Sequence, residues 1–214
     1  MKLYYESKGI HIYHGDAMEA LDLGTFDLLL TDPPYGIGEA AGKNRSRSRL
    51  ATARDYGNDA WDNTPVSQNL LDRLRALAKW QIIFGGNYYR LPPSSCWLVW
   101  DKDNGENDFA DCELAWTNLP KAVRRLRWRW AGMLQENMGR RKEPRFHPCQ
   151  KPVEVMQWAI SHVPEARTIF DPFMGSGSIL RAAKDLGLKA VGVEREEKYC
   201  QIAAERMAQE VLFA

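Results

Sequence analysis

The sequence contains no apolar run of membrane-spanning length, and its start lacks the pattern of a secretory signal peptide. It has only four cysteines among 214 residues, and these lack the close spacing of metal ligands. The absences argue against a membrane-embedded protein, a disulfide scaffold and a metal centre. We therefore expect a cytoplasmic protein with reduced thiols, no metal and no membrane partner.

Net charge is also nearly absent, since 29 Lys and Arg residues offset 28 Asp and Glu residues to leave +1. The distribution is less even than the total. Residues 121–145 contain nine basic residues and two acids, with Trp128 and Trp130 between the arginines. A second basic group lies in residues 43–54. These stretches predict a surface that tracks nucleic-acid phosphates. The residues expected to contact nucleic acid are Lys43, Arg45, Arg47, Arg127, Arg129, Arg140, Arg141 and Lys142.

Hydrophobic patterns predict strands and helices that alternate along the chain, which indicates a single α/β domain over residues 1–214 with a mostly parallel sheet. The predicted strands are Ile10–Tyr13, Phe26–Leu30, Gln81–Phe84, Cys96–Trp100, Ala122–Trp130, Arg167–Phe170 and Lys189–Val193. Helices are predicted at about 17–23, from Thr64-Pro65, from Pro152, at Ser178–Leu186 and at about 196–210. Residues 36–62 show little periodicity and predict a long, mobile, basic loop.

The stretch Thr31-Asp32-Pro33-Pro34-Tyr35 directly follows a predicted buried strand. Proline has no N–H for a central strand, so the strand ends here and the peptide that follows is stiff. A carboxylate and an aromatic ring held close together in this way suit a flat ligand that bears an amine. The alternative is a plain strand end followed by a turn.

A second segment, Asp171-Pro172-Phe173-Met174-Gly175-Ser176-Gly177, lies between a predicted strand and a helix, and Glu194 ends the next strand. Glycines here allow a ligand to approach a helix N-terminus, and the acid suits ribose hydroxyls. The third glycine of the dinucleotide fingerprint is missing, since position 180 is Leu180, and there is no phosphate-binding P-loop. Asp171 would repel a pyrophosphate but suits a cationic amino-acid group. S-adenosylmethionine therefore fits better than NAD or ATP.

Together these segments resemble the amino-methyltransferases that modify exocyclic amines of DNA bases. Because Asp-Pro-Pro-Tyr precedes the cofactor loop, the chain resembles the permuted beta group, which includes adenine-N6 and cytosine-N4 enzymes of phage or orphan type. Further matches are Gly15-Asp16, Trp100-Asp101-Lys102 and His147-Pro148-Cys149-Gln150-Lys151-Pro152. The resemblance implies a Rossmann-like methyltransferase fold with helices on both faces of the sheet and a circularly permuted motif order.

The resemblance also implies roles for single residues. Asp32 and the Pro33 carbonyl would accept the amine hydrogens of a flipped-out adenine, Pro34 completes the catalytic motif, and Tyr35 would stack on the base. The implied cofactor contacts are Asp16, Asp32, Lys151, Asp171, Phe173, Gly175, Gly177 and Glu194. The implied partner is double-stranded DNA, read by a short target-recognition segment at about 132–146, and family members are often homodimers.

Several alternatives remain at this point. Asp as the first motif residue favours adenine-N6 over cytosine-N4 methylation. RNA and protein-glutamine methyltransferases usually have the cofactor loop first, and a nicotinamide dehydrogenase would need the third glycine. Intact Asp32 and Tyr35 argue against an inactive cofactor- or DNA-binding module. Cys149 is expected to pack rather than to act as the nucleophile of a cytosine-C5 enzyme, and His147 to be structural. Asp16 suits either a ligand contact or a turn cap.

Overall fold

The computed structural model describes residues 1–36, 64–105, 110–131, 134–139, 142–146 and 149–209. Most of the predicted basic loop at 36–62 therefore lies outside the described residues, together with Lys43, Arg45 and Arg47. Arg140 and Arg141 lie outside them as well, and so does His147.

The described residues form eleven strands and four α-helices. The strands are β1 Lys2–Ser7, β2 Ile10–His14, β3 Phe26–Thr31, β4 Ala78–Phe84, β5 Trp97–Asp101, β6 Cys112–Thr117, β7 Arg124–Arg127, β8 Trp130–Ala131, β9 Leu134–Gln135, β10 Thr168–Asp171 and β11 Lys189–Glu194. The helices are α1 Gln68–Arg75, α2 Val153–Ser161, α3 Ser178–Asp185 and α4 Glu197–Ala208. Short 3₁₀ turns lie at Glu19–Asp22 and Gly86–Tyr88.

Nine strands form one sheet in the order β1-β2-β11-β10-β3-β4-β6-β5-β7, and β8 and β9 form a separate hairpin. Strands β1 and β6 are antiparallel to their neighbours, and the other seven run in one direction. The predicted mostly parallel sheet is therefore confirmed. The carboxyl ends of seven strands meet at one edge, which we call the carboxyl edge.

Helices cover both faces of the sheet, as predicted. Leu28 and Leu30 of β3 point to one face, where Val155 of α2, Ile179 of α3 and Ala203 of α4 form the larger core cluster. The intervening Leu29 points to the opposite face and belongs to a second cluster with the buried leucines of α1. This alternation along a strand buried on both faces explains why β3 reads as a continuous apolar run.

The strand order reverses direction between β10 and β3. The chain passes from β10 through α3 to β11 on one side, and from β3 through α1 to β4 on the other. In open α/β sheets, ligands bind at the carboxyl edge next to such a switch point. The two segments singled out from the sequence, Asp32–Tyr35 and Asp171–Gly177, follow these two central strands.

Several predicted elements differ from the observed ones. The helix expected from Thr64-Pro65 begins later, because the Ser67 side chain caps it by accepting a hydrogen bond from the Leu70 N–H. The predicted helix at 17–23 is only a 3₁₀ turn with a single buried residue. The predicted strand Ala122–Trp130 is divided between β7 and β8.

Strands β1, β6 and β9 were not predicted. Strand β1 is a largely exposed edge strand, so it lacks a clear hydrophobic period. No helix among the described residues is both long and apolar enough to span a membrane.

Candidate active site

The switch point brings the two predicted motifs into direct contact. The Thr31 hydroxyl at the end of β3 donates a hydrogen bond to Asp171 Oδ1 at the end of β10, at 2.8 Å. Both residues are buried. The Asp32–Tyr35 segment and the Asp171–Gly177 loop therefore share one site, although Thr31 and Asp171 lie 140 residues apart in the chain.

Asp32 is the centre of this site. The Tyr35 hydroxyl donates to its Oδ1, and the Lys151 ammonium donates to its Oδ2. Burial raises the pKa of Asp32 above its ordinary value, although the charge of Lys151 opposes that shift. Both carboxylate oxygens thus have a protein donor, which fixes the plane of the group and leaves further lone pairs for a ligand amine.

Lys151 continues into a chain of alternating charges. Its Nζ lies 3.1 Å from Glu113 Oε2, and Lys102 Nζ lies 2.6 Å from Glu113 Oε1. Burial disfavours the charged form of Lys151, but Asp32 and Glu113 raise its pKa above the ordinary value. Burial also opposes ionisation of Glu113, yet Lys151 and Lys102 lower its pKa to about 2. Lys151 was predicted as a cofactor contact, and the structure places it on Asp32.

Tyr35 lies between the protein backbone and a second aromatic ring. A side chain at Gly85 would place its Cβ 2.0 Å from Tyr35 Cε1, so the ring lies against the end of β4. Gly85 has φ +64°, a conformation that favours glycine. The Tyr88 ring stacks on Tyr35 with centroids 4.8 Å apart and planes 17° from parallel. A base can therefore stack on that face of Tyr35 only after Tyr88 has moved.

The two prolines of the motif differ in their carbonyl groups. The Pro34 carbonyl accepts hydrogen bonds from the Tyr89 hydroxyl and from the Val66 N–H, the latter at 3.3 Å. Within the described ranges, no hydrogen bond reaches the carbonyl of Pro33. This leaves the Pro33 carbonyl as an acceptor beside Asp32.

The predicted cofactor loop forms a tight turn at the start of α3. Gly177 precedes the helix with φ +77°, and a Cβ there would lie 2.9 Å from the Ala203 Cβ. The Gly175 N–H donates to Glu194 Oε2 at 3.0 Å, and the Glu196 N–H donates to Glu194 Oε1 at 2.7 Å. These bonds orient the carboxylate beside the loop. Burial raises the pKa of Glu194.

Asp171 lies beneath that loop and is only 1% exposed. The Phe173 N–H donates to its Oδ1 at 3.2 Å, which closes the turn. Burial raises the pKa of Asp171 to about 7, and the hydrogen bonds from Thr31 and Phe173 limit the shift. Its charge therefore changes within the physiological pH range.

Asp16 follows β2 at the same edge of the sheet. Its Oδ1 accepts a hydrogen bond from the Met18 N–H at 2.8 Å, so it caps the turn there. The neighbouring Gly15 N–H donates to the backbone carbonyl of Glu194 at 3.0 Å, which places Asp16 close to the cofactor loop. The turn cap is present, and a ligand contact by Asp16 remains a prediction.

The predicted basic surface is partly paired with acids. Arg127 and Arg129 donate to the two carboxylate oxygens of Asp103, and Arg125 lies 3.9 Å from Asp101. Asp101 and Asp103 lie outside residues 121–145 in the sequence, and the pairing of β5 with β7 brings them next to the arginines. The side chains of Arg127 and Arg129 are still 64% and 45% exposed. Lys142 is exposed as well.

The predicted target-recognition segment at about 132–146 is hydrogen-bonded to helix α4 and to the start of helix α2. The Glu143 carboxylate accepts hydrogen bonds from Arg206 at 2.9 Å and from the Val153 N–H at 3.0 Å. Arg206 also donates to the Ser176 carbonyl of the cofactor loop at 2.7 Å. The described part of 132–146 thus contacts both α4 and the start of α2. Among the described residues, which include all four cysteines, none forms a disulfide.

Sequence reasoning missed Glu113 and Tyr88. Glu113 lies in the unpredicted strand β6, where an acid directly before the apolar run Leu114–Trp116 was the available signal. Tyr88 lies in the short turn after Gly85-Gly86, next to a strand end that was predicted. Neither residue stands near Asp32 in the sequence, so only the folded sheet brings them together.

Comparisons with known proteins agree with this geometry. The crystal structure of the M1.HpyAVI–SAM complex superposes with a TM-score of 0.59 at 23% identity, covering 94% of this chain and 100% of that chain. The cytosine-N4-specific PvuII DNA methyltransferase superposes with a TM-score of 0.57 at 14% identity, covering 99% of this chain and 91% of that chain. The fold is therefore that of the Rossmann-like methyltransferases.

The sequence comparisons narrow this class to one family. A family model for DNA methylases of the N6 and N4 type matches residues 99–205, half of the chain. The type II methyltransferase M.ScaI of Streptomyces caespitosus is 26% identical over an alignment of length 258. The alignment covers 98% of this chain and 84% of that protein. The chain belongs to the DNA methylase family of N6-adenine and N4-cytosine amino-methyltransferases.

Proposed function

We propose that this protein transfers a methyl group from S-adenosylmethionine to the N6 amine of a flipped-out adenine in double-stranded DNA. The observation that carries the proposal is the position of Asp32 at the switch point, beside the loop of Asp171–Gly177. One motif would hold an amine where the other would hold a methyl donor.

The donor side of the site suits S-adenosylmethionine. Glu194, oriented by two backbone N–H groups, would accept hydrogen bonds from the ribose hydroxyls. The buried Asp171 would offset the positive charge of the amino-acid part, and Phe173 would lie beside the adenosine. When bound, S-adenosylmethionine supplies an electrophilic methyl group on a sulfonium. That chemistry requires no metal and no covalent intermediate with the protein.

The acceptor side would hold the amine by its hydrogens. Asp32 would accept one amine hydrogen and the Pro33 carbonyl the other, which localises the nitrogen lone pair that is otherwise shared with the ring. The lone pair then points at the methyl group, and placement with local electrostatics supplies the acceleration. Pro33 and Pro34 keep the backbone that carries these acceptors rigid.

The base must leave the duplex to reach Asp32, at a cost of about a few kcal/mol. Stacking on Tyr35 offsets roughly 1–3 kcal/mol of this. In the free protein Tyr88 occupies one face of Tyr35, so we expect Tyr88 to move when a base enters. The exposed Tyr88 side chain, 51% accessible, has room to do so.

Adenine is preferred over cytosine on the basis of Asp as the first residue of the motif. Cytosine-N4 is the second candidate, because its amine presents the same two hydrogens and the fold is shared with a cytosine-N4 enzyme. Arg127, Arg129 and Lys142 are proposed phosphate contacts on the DNA side. The homodimer implied by the resemblance remains a prediction.

A labelled-methyl assay tests the proposal. The protein is incubated with methyl-labelled S-adenosylmethionine and genomic DNA, and transfer to DNA is counted for the wild type and for Asp32→Asn. We expect transfer by the wild type and a loss of about a hundredfold or more in the variant, since Asn offers the amine a weaker acceptor.

Glu165→Gln, which changes an exposed acid on the loop after α2, is the matched control and should keep wild-type transfer. Donor affinity, measured by calorimetry, should be largely retained in Asp32→Asn. Near-normal turnover in that variant would contradict the role of Asp32, and no transfer by the wild type would contradict the function.

A further inference from the structure

Glu113 is a charged residue for which neither base holding nor donor binding provides a role. It lies directly opposite Trp100 in the pairing of β5 with β6, near the carboxyl edge. Each of its oxygens contacts a different lysine, Lys102 at 2.6 Å and Lys151 at 3.1 Å.

The cluster is a line of alternating charges that ends at the proposed catalytic residue. Its order is Lys102, Glu113, Lys151 and Asp32. The Lys151 side chain is only 8% exposed and its Nζ lies 5.6 Å from the centre of the Phe84 ring. Water therefore screens the charge of Lys151 poorly, and the charge acts strongly on Asp32.

A cation next to Asp32 opposes the proposed reaction. The amine lone pair forms the new N–C bond as the S–C bond breaks. The sulfur keeps the pair of electrons from the S–C bond and becomes a neutral thioether. The positive charge thus moves to the amine nitrogen, which afterwards releases one proton to solvent. An uncompensated ammonium beside the acceptor of that amine would raise the energy of the transition state.

We propose that Glu113 is a positioning residue that holds Lys151 on Asp32 and offsets its positive charge, so that the ammonium adds less positive potential at the target amine. Lys102 in turn contacts the other carboxylate oxygen of Glu113, Oε1. This inference rests on the proposed function, because it assigns Glu113 a part in the same methyl transfer. It differs from a purely structural role, in which Glu113 only ties β6 to the start of α2.

A charge-compensating role and a purely structural role of Glu113 predict different effects of a second substitution. Glu113→Gln keeps the shape but leaves the Lys151 charge without its partner. Lys151→Met in the same chain then removes the charge that Glu113 had offset. A charge-compensating role requires the double variant to be faster than Glu113→Gln alone, whereas a structural role makes it equal or slower.

The experiment measures kcat and the KM values for DNA and S-adenosylmethionine in the wild type, Glu113→Gln, Glu113→Asp and Glu113→Gln/Lys151→Met. Glu165→Gln is the control for the loss of an exposed acid. We expect kcat to fall about tenfold or more in Glu113→Gln with little change in either KM. Glu113→Asp, which keeps the charge, and the double variant should both recover part of the loss.

A wild-type kcat in Glu113→Gln would overturn the inference, and so would a double variant no faster than the single one. If Glu113→Gln does not fold, the double variant, which lacks the uncompensated cation, should still fold and transfer methyl groups, and its failure to do so would also overturn the inference. Failure of the proposed function would appear differently, because the wild type itself would then transfer nothing to DNA.

Discussion

Tyr35 owes its position to the absence of a side chain at Gly85. An added Cβ would meet Tyr35 Cε1 at 2.0 Å and would also strain a backbone with φ +64°. For Gly85→Ala we expect a loss of stability of about 1–3 kcal/mol and a displaced Tyr35. Methyl transfer should therefore fall, as measured by labelled-methyl counting beside thermal denaturation.

Gly187→Ala is the matched control for that change. Gly187 has a similar φ of +69°, but a Cβ there meets nothing within 4 Å. The control should lose a comparable part of the stability and keep its activity. Equal activity losses in both variants would mean that backbone strain alone, and not the place of Tyr35, limits the enzyme.

For single residues of the site, the sequence allowed prediction only of those that are close together in the chain. Asp32 and Tyr35 are three positions apart, so their shared site was visible as a motif. Glu113 reaches Lys151 only through the pairing of β6 in the sheet, and Tyr88 reaches Tyr35 only through the turn after β4. Contacts of this kind depend on tertiary structure, which local patterns do not contain.

Among the structural elements, the cofactor loop after β10 is built around the buried Asp171. Its pKa of about 7 lies above the ordinary value of 3.8, mainly because of burial. The folded state therefore binds more protons than the unfolded state between these values, so the contribution of Asp171 to stability is present at low pH and is lost as pH rises to about 7.

Asp171→Asn should remove that dependence. Between pH 4 and 7 we expect the free energy of unfolding of the wild type to fall relative to the variant by up to about 4 kcal/mol. Denaturant unfolding at several pH values, without S-adenosylmethionine, measures the difference. Parallel curves for the two proteins would contradict the assignment of this proton to Asp171.

The edge strand β7 and the residues directly after it carry exposed arginines of the basic surface. Replacement of Arg127 and Arg129 by Gln should weaken DNA binding and reduce the slope of log affinity against log salt by up to about 2. Arg73→Gln, on the exposed side of α1, is the matched control and should leave the slope unchanged. An unchanged slope in the double variant would show that Asp103 keeps both arginines from the phosphates.

The sequence predicted the central strands better than the edge strand β1 and the antiparallel β6. Strands β3, β10 and β11 are apolar and mostly buried, so their composition identifies them. Strand β1 has no buried residue, and β6 carries the charged Glu113 as its second residue. Solvent exposure and an internal charge both weaken the hydrophobic pattern on which prediction depends.

For the whole molecule, we propose that residues 1–214 unfold as one cooperative domain. A calorimetric scan should show a single transition, and S-adenosylmethionine at a hundred times its dissociation constant should raise the midpoint by roughly 5–10 °C. NAD at the same concentration is the control and should leave it unchanged. Two separate transitions, or an equal shift with NAD, would contradict the proposal.

The motif order could be predicted from the sequence at this scale, but its consequence required the fold. Asp32 precedes the cofactor loop in the chain, yet β3 and β10 are neighbours in the sheet. The two motifs therefore meet at one site although they are far apart in the chain. The base that the site holds does not follow from topology, because N6 and N4 enzymes share the fold.

The identity of the methylated base tests the central claim most directly. DNA treated with the protein and labelled S-adenosylmethionine is digested to nucleosides, which are separated and identified by mass. Label in N6-methyl-2′-deoxyadenosine is the expected result. Label in N4-methyl-2′-deoxycytidine would contradict the choice of adenine but not the family. A digest without label would contradict methyl transfer to DNA altogether.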